Sequence, residues 1–362
     1  MTNRIGSFSR RDALRGFGAL AVPLMLGAAP AALARAAASP LKGVIRVCGS
    51  RQMGNLMAEW AKGFARLHPG VAFDVDLKGT STGQFALQQG TADLALSARR
   101  AFDYEQYGIY RRSVLMTTEV AVATGSHDQI GKSAALAVFV HRDNPIAGLS
   151  VEQLDRIFGS QRAGGWGTMV WDTGVARGPE QNIRTWGQLG LTGEWADAPI
   201  VPYGPAGLHP GGQSFFQQRV MGGADLFNEA TREYADRNAM VADMINDRFG
   251  IGYGSLGYAR PGVRAIPIAD GSNRAFVALT RKSVADRSYP LTRSAYIYAA
   301  PDSAAGDAAM MEPRLLAFLQ YALSPAGQRL VAPTGFNPLP ATMAAEQAAR
   351  IQEKPQVYRV DE

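Results

Sequence analysis

Segments that alternate between a strand pattern and a helical pattern follow residue 40, and this alternation most constrains the fold. Residues 44–47 form a run of mostly β-branched side chains, Gly49 and Ser50 form a turn, and apolar residues recur at helical spacing over 53–67. The order repeats with a strand at 71–77, a Gly-Thr-Ser-Thr-Gly turn at 79–83, a short helix at 84–89 and a third strand at 92–97. Such units predict an α/β fold, in which a parallel sheet carries helices on its faces.

Patterns farther along the chain extend this arrangement. Ser150 and Gln153 have the spacing of a capping box at the start of a helix. Further patterns predict strands at 136–140 and 294–299, helices at 214–220, 238–249 and 314–323, and a Gly-rich surface insertion at 161–182. Because 362 residues exceed what one hydrophobic core usually serves, we expect two lobes.

The first 38 residues have the composition of an export signal. Arg10 and Arg11 precede an apolar stretch over 16–33 that ends in small residues, which is the order of a secretory signal peptide. The adjacent arginines resemble the twin-arginine signal, with Ala13 where that motif usually has Phe. The stretch is short and broken by proline, which argues against a membrane anchor. We expect cleavage near Ala36 or Ala38 and a mature protein in the periplasm.

Charge and ligand content exclude several classes of protein. Five arginines against one aspartate in residues 1–38 account for +4 of the formal net charge of +6, so the mature chain is nearly neutral. It has no basic stripe with interleaved aromatics, and we expect no nucleic-acid partner. The single cysteine, Cys48, excludes an intramolecular disulfide, and the four histidines form no metal-ligand pattern. We therefore expect neither a metal nor a cofactor.

The first three predicted strands each end in residues that can donate hydrogen bonds. Gly49-Ser50-Arg51 follows the first strand, the segment 79–83 with Thr80 and Ser81 follows the second, and the third ends at Ser97, before residues 98–100. Unpaired N–H groups and the helix dipole attract anions at a helix N-terminus, and ligands of open α/β sheets bind at this edge. The three segments indicate an oxyanion site, although ordinary helix caps contain the same residue types.

A second hypothesis comes from a different class of protein. Residues 79–83 match the G-x-S-x-G nucleophile elbow of α/β-hydrolases, with a strand before and a helix after. Ser81 would then be the nucleophile, and His127, His141 or His209 its base. The motif is short, lies early in the chain for a hydrolase nucleophile, and has no evident Asp-His context. Labelling of Ser81 by a fluorophosphonate probe would distinguish this serine hydrolase from a binding protein.

The order of the segments resembles that of the phosphate-binding proteins of bacterial phosphate ABC transporters, which have the type II periplasmic binding-protein fold. The resemblance spans roughly residues 44–340. The segments that carry it are Gly49-Ser50, 78–83, 93–97, 135–145, 149–158, 186–189, 199–204, 250–253, 289–293 and 324–328.

The resemblance implies two α/β lobes built as discontinuous domains with two hinge crossovers. Lobe one would comprise residues 41–135 and 294–345, lobe two residues 136–293, and the C-terminal tail residues 346–362. The protein would be a monomeric, non-enzymatic binding protein that captures phosphate or a related oxyanion for an ABC transporter permease in the inner membrane. The alternative within this family is a relative without a transport role that binds a different anionic ligand.

The resemblance also indicates which residues would bind the anion. The family normally closes on phosphate with an arginine and Ser-Gly-Thr at a helix start in lobe two. Residues 204–213 contain no arginine, Gly211, Gly212 and Gln213 stand in place of Ser-Gly-Thr, and Ala98 stands near the position of an aspartate found in some members. We expect Arg99 or Arg51 to supply the positive charge. The expected binding residues are Ser50, Arg51, Thr80, Ser81, Ser97, Arg99, Gly211, Gly212 and Gln213.

Overall fold

The computed structural model describes residues 40–113, 115–167, 170–206, 211–224, 226–271, 274–301 and 311–353. The expected signal peptide at 1–38, His209 and the end of the expected C-terminal tail at 354–362 lie outside the described residues.

Strands are numbered along the chain. They are β1 (Gly43–Gly49), β2 (Val71–Asp76), β3 (Leu94–Ser97), β4 (Thr118–Thr124), β5 (Leu136–His141), β6 (Leu149–Ser150), β7 (Gly165–Gly167), β8 (Val170–Asp172), β9 (Val201–Pro205), β10 (Arg232–Tyr234), β11 (Gly250–Ser255), β12 (Val263–Ile266), β13 (Ile268–Ala269) and β14 (Ser294–Ala299).

The α-helices are numbered in the same way. They are α1 (Gly54–Leu67), α2 (Thr80–Gln89), α3 (Asp103–Ser113), α4 (Val151–Phe158), α5 (Gly211–Val220), α6 (Arg237–Met244), α7 (Arg281–Ala285), α8 (Pro313–Leu323), α9 (Pro325–Arg329) and α10 (Ala341–Arg350). Within the described residues, no helix has both the length and the apolar composition needed to cross a membrane.

The first five-stranded sheet has the order β2-β1-β3-β14-β4. Strand β1 pairs parallel with β2 and β3, whereas β14 runs antiparallel between β3 and β4. The apolar face of α1 packs on this sheet together with α8, and the rings of Phe64 and Phe318 meet edge to face at 5.5 Å. The buried indole of Trp60 donates to the carbonyl of Gly327, 2.9 Å away. These contacts form the core of the first sheet.

The second five-stranded sheet has the order β10-β9-β11-β5-β12. Strand β9 pairs parallel with β10 and β11, and β5 runs antiparallel to β11 and β12. Helices α4 and α5 contribute to its core, where the rings of Phe216 and Tyr253 stack at 3.8 Å and Phe158 meets both edge-on. Two small sheets pair β6 with β13 and β7 with β8.

Both large sheets are mixed, whereas the strand–turn–helix pattern predicts parallel sheets. In each sheet the strands that pair parallel follow one another in sequence: β1 to β3 in the first sheet and β9 to β11 in the second. The antiparallel strands β14 and β5 each lie directly after the chain has passed from one sheet to the other. Strand β14 follows the second sheet and inserts between β3 and β4 against their direction. The direction of a strand that returns to a sheet depends on the edge at which the crossover reaches that sheet. Local periodicity in the sequence does not encode this edge.

The chain crosses between the sheets at residues 125–135 and 286–293. The backbone N–H of Gly125 on the first crossover donates to the carbonyl of Arg293 on the second at 2.9 Å, and that of Leu136, at the start of β5, donates to the carbonyl of Leu291 at 3.1 Å. The described residues from Pro40 onward group as one compact unit, so the lobe boundaries at 135/136 and 293/294 stay a prediction. In the expected tail, α10 continues to Arg350, and the side chain of Gln347 accepts from the N–H of Ala121 on β4.

Several elements begin or end elsewhere than their patterns predict. Helix α2 begins at Thr80, within the turn predicted at 79–83, and α5 begins at Gly211, three residues before its predicted start. Helix α6 ends at Met244, because the chain turns before Gly250 opens β11. The capping box of Ser150 and Gln153 is confirmed.

The 161–182 insertion is anchored as well as exposed. Arg162 and the buried Arg177 both pair with Asp155 of α4.

Candidate functional site

The turn after β1 brings Ser50 into the interior of the first sheet. Its backbone N–H donates to the carbonyl of Leu96 at 2.8 Å, and its side chain is buried. Gly49 has a φ of +127°, and a Cβ there would lie 2.2 Å from the Leu96 oxygen, so only glycine permits this close approach. Arg51 is exposed, and its Nε donates to the carbonyl of Leu77 at 3.3 Å. Ser50 therefore faces inward, whereas Arg51 lies at the rim.

The start of α2 lies beside this turn. The backbone N–H of Gly79 donates to the carbonyl of Gly49 at 2.9 Å, which brings the ends of β1 and β2 together. Thr80 Oγ1 accepts from the backbone N–H of Ala98 at 3.4 Å, and Ser81 Oγ accepts from Arg99 Nη2 at 3.2 Å. Thr80 and Ser81 are thus joined to the segment that follows β3.

Arg99 is a buried and paired arginine. Its side chain is 1% exposed, and its two Nη atoms each donate to a carboxylate oxygen of Glu105 at 2.8 Å. The guanidinium also lies 4.3 Å from the centre of the Phe102 ring. Because Glu105 neutralises its charge, Arg99 cannot offer a free positive charge to an anion in this arrangement. Its assignment as a ligand stays a prediction, and this pairing weighs against it.

Ser97 is also engaged locally. Its hydroxyl donates to the carbonyl of Arg99 at 2.5 Å, and the side chain is fully buried. This bond turns the chain at the end of β3, which sets the position of Ala98.

Helix α5 of the second sheet begins directly against the end of β3. A Cβ at Gly211 would lie 3.8 Å from the Cβ of Ala98. Seven residues later, Gln218 Nε2 donates to the carbonyl of Arg100 at 3.1 Å. The fold therefore brings Thr80, Ala98 and Gly211 together, although they come from three separate segments and both large sheets.

Arg293, on the second crossover, is a further charged residue at this place. Its side chain is buried, with Nη2 donating to the carbonyl of Ala98 at 2.9 Å and Nη1 to that of Ala134 at 3.5 Å. Within the described residues no carboxylate pairs with it, and its Nε has no hydrogen-bond partner. Desolvation by burial lowers the pKa of Arg293 to about 10, so it remains protonated at neutral pH.

Arg293 is not among the anion-binding residues expected from the sequence. It lies in the segment 289–293 that carries part of the family resemblance, but nothing in a local pattern shows that an arginine is buried without a counter-ion.

A cavity of about 440 Å³ opens beside Arg293. Gly211, Gly212 and Gln213 line it, as do Arg293 and Tyr253. Three buried polar atoms of these lining residues have no partner within the described part of the chain: Arg293 Nε, Gln213 Oε1 and Tyr253 Oη. Burial raises the pKa of Tyr253, so its hydroxyl keeps its proton as a donor.

The expected binding residues thus divide into two groups. Gly211, Gly212 and Gln213 line the cavity, whereas the six from the first sheet are not among its described lining residues. Arg293 and Ala98 connect the groups, because Arg293 bonds to the carbonyl of Ala98 and Thr80 to its N–H.

The hydrolase hypothesis gains no support from the arrangement around Ser81. A nucleophilic serine needs a base within hydrogen-bond distance, and the partner of Ser81 is Arg99. Among the described histidines, His127 lies beside Asp128 and His141 beside Asp143. His209 lies outside the described residues.

Comparison with known proteins gives matches over most of the chain. The sequence model of the PBP superfamily domain matches residues 34–326. The phosphate-binding protein PstS of Pseudomonas aeruginosa is 32% identical over 309 residues, which cover 85% of this chain and 86% of that protein. PstS of Borrelia burgdorferi, at 16% identity, has a similar fold with a TM-score of 0.54, covering 83% of this chain and 100% of the other. An ABC-type phosphate transport receptor from Vibrio cholerae, at 18% identity, gives 0.53 with coverages of 81% and 99%.

Proposed function

The chain belongs to the family of phosphate-binding proteins within the PBP superfamily, and on this basis we propose that it binds phosphate or a closely related oxyanion in the periplasm. It would deliver the anion to the permease of an ABC transporter and act as a receptor without catalysing a reaction. We further propose that it works as a monomer, has no nucleic-acid partner, and is exported after cleavage near Ala36 or Ala38.

The observation that carries the proposal is the meeting of two helix starts at Ala98. Helix α2 of the first sheet begins at Thr80, which bonds to Ala98, and α5 of the second begins at Gly211, which lies beside Ala98. The first turn of a helix has N–H groups without intrahelical partners, and these groups favour an anion. Each hydrogen bond to a charged acceptor contributes about 1.5–3 kcal/mol, so several such donors suffice to hold an oxyanion.

The expected residues would then have different roles. Thr80 and Ser81 would offer hydroxyls from the first sheet, and Gly211, Gly212 and Gln213 would offer backbone N–H groups from the second. Ser50 and Ser97 would shape the strand ends behind them, Arg99 would orient Ser81, and Arg51 would act only at the rim. These roles are proposals that follow from burial and from the hydrogen bonds described above.

The cavity beside Arg293 favours a second candidate for the ligand. Pockets for small organic molecules are about 300–1,000 Å³, and a cavity of about 440 Å³ falls in this range. The partly aromatic wall at Tyr253 and Tyr258 would suit an organic group attached to the anion. A phosphorylated organic compound is therefore the alternative to inorganic phosphate.

Calorimetric titration of the purified protein tests both ligands. Phosphate, sulfate, arsenate and glycerol phosphate are titrated separately, and we expect phosphate to bind at one site per chain. Thr80→Val should weaken binding about tenfold, equivalent to about 1.4 kcal/mol, because one hydroxyl is lost. Thr91→Val is the matched control, since Thr91 is exposed just beyond the C-terminal end of α2.

The outcomes separate the hypotheses. Tighter binding of glycerol phosphate than of phosphate would favour the organic ligand. If none of the four anions binds, the proposed function is wrong.

A further inference from the structure

Arg293 lacks what a buried arginine normally requires. Transfer of an ion from water into a protein interior is costly unless an opposite charge compensates it. Arg293 is buried among groups that are dipolar and not charged: the carbonyls of Ala98 and Ala134 and, 5.7 Å away, the ring of Phe215. Within the described residues no acidic side chain bonds to it and Nε has no acceptor, while Asp236 and Arg237 line the same cavity. The interior therefore holds a positive charge with room for a counter-ion.

The position of this guanidinium fits an oxyanion as that counter-ion. Its Nη2 atom lies 3.3 Å from the Cβ that a side chain at residue 211 would have, so the guanidinium lies beside the start of α5. Both Arg293 and Gly211 line the cavity, which gives an anion access to the guanidinium and to the helix start. A guanidinium binds an oxyanion through two parallel N–H donors, a geometry that lysine cannot reproduce.

Arg293 also connects the parts that must move when the cleft closes. Its backbone carbonyl accepts from Gly125 on the other crossover. Its side chain bonds to Ala98 after β3 and packs near Phe215 on α5. An anion bound here would contact residues from both sheets at the place where the chain passes between them.

We propose that Arg293 carries the positive charge of the anion site, in place of the arginine that residues 204–213 lack and instead of Arg99 or Arg51. This inference rests on the proposed function. It adds the residue that supplies the charge and places it on a crossover, at the junction of the two sheets.

The test compares Arg293→Met and Arg293→Lys with the control Arg287→Met. Arg287 is a partly buried arginine of the same crossover that bonds to Thr124 and is not among the described lining residues of the cavity. Phosphate affinity is measured by calorimetry, and the stability of the ligand-free protein by urea unfolding. We expect Arg293→Met to weaken phosphate binding about 100-fold and Arg293→Lys about tenfold, with Arg287→Met within about twofold of wild type.

Urea unfolding of the ligand-free variants shows whether Arg293 serves to bind the anion or to stabilise the fold. Replacing Arg293 by Met removes an uncompensated charge but leaves two carbonyls without a donor, so these effects oppose each other. We expect the urea midpoint of the ligand-free Arg293→Met protein to stay near that of wild type, whereas its stabilisation by phosphate is lost.

Two results would overturn the inference in different ways. If wild type and both Arg293 variants bind phosphate equally, the proposed function stands and Arg293 does not carry the charge. If wild type binds none of phosphate, sulfate, arsenate and glycerol phosphate, the proposed function fails and this inference with it. If Arg293→Met lost binding only because it unfolds, its urea midpoint would be lowered. The inference would then require that Arg293→Lys folds like wild type and still binds phosphate more weakly than wild type.

Discussion

The pair of Arg99 and Glu105 allows a structural arginine to be distinguished from a ligand-binding one. Arg99→Met removes the charge at nearly constant length, and Glu105→Gln removes the opposite charge with almost no change of shape. If Arg99 is structural, both substitutions should affect folding strongly and phosphate affinity weakly. If Arg99 binds the anion, its substitution should lower phosphate affinity about tenfold or more even in a stable protein.

The expected magnitude follows from burial. Both side chains are 1% exposed and are joined by two bonds of 2.8 Å. Glu105 also accepts from the backbone N–H of Phe102 at 2.8 Å, so its loss affects the start of α3 as well. Breaking one partner of a buried pair costs about 3–5 kcal/mol, because the other charge is left uncompensated. We expect each single variant to lose about 3 kcal/mol of unfolding free energy.

The assay is urea unfolding followed by tryptophan fluorescence, together with phosphate titration of each folded variant. The double variant Arg99→Met/Glu105→Gln should lose at least about 1 kcal/mol less than the sum of the single losses, since neither charge remains unpaired. Lys78→Met is the control, because the pair of Lys78 and Asp76 is exposed and should not move the midpoint. Additive losses, or Glu105→Gln with wild-type stability, would refute the structural role.

Three further predictions concern the cleft. Phosphate should reduce the radius of gyration measured by small-angle scattering, because an anion held between two lobes favours closure by hinge motion; an unchanged radius at saturation would contradict closure. Gly211→Ala should weaken phosphate binding several-fold, since its Cβ would lie 3.3 Å from Arg293 Nη2, whereas Gly212→Ala, with nothing nearer than 3.7 Å, should bind like wild type. Phosphate affinity should be constant between pH of about 8 and 9 and fall as pH rises through about 10, where the pKa of Arg293 lies, because the bound anion favours the protonated guanidinium. Burial raises the pKa of Tyr296, the neighbouring titratable group, which moves its ionisation to higher pH. Calorimetry at several pH values checks this, and unchanged affinity at pH 11 would contradict it.

Local sequence patterns predicted most elements of this fold. The β-branched run at 44–47 lies in β1, the periodic residues at 53–67 form α1 and the short turn before it, and the strand at 294–299 is β14. The resemblance predicted the fold class correctly, since a solved phosphate-binding protein structure that covers 83% of this chain has a similar fold. These successes have one cause: hydrophobic periodicity and turn residues act over a few positions and are visible in sequence.

Helix starts and strand directions were predicted less well. The helices were predicted to begin at residues 84 and 214, yet they begin at Thr80 and Gly211. Neighbouring strand ends and the other sheet supply packing at these residues that glycine alone does not suggest. The antiparallel insertion of β14 depends on a crossover that begins in the second sheet.

The sequence alone determined which residue types could form an anion site, and the tertiary structure decided which of them meet. Thr80, Ala98, Gly211 and Arg293 come from four segments, and the folding of both sheets and of the second crossover places them beside one another. The same folding pairs Arg99 with Glu105 and leaves Arg293 without a carboxylate among the described residues. Whether a charge is neutralised depends on distances of a few ångströms between residues far apart in sequence, and no local pattern contains those distances.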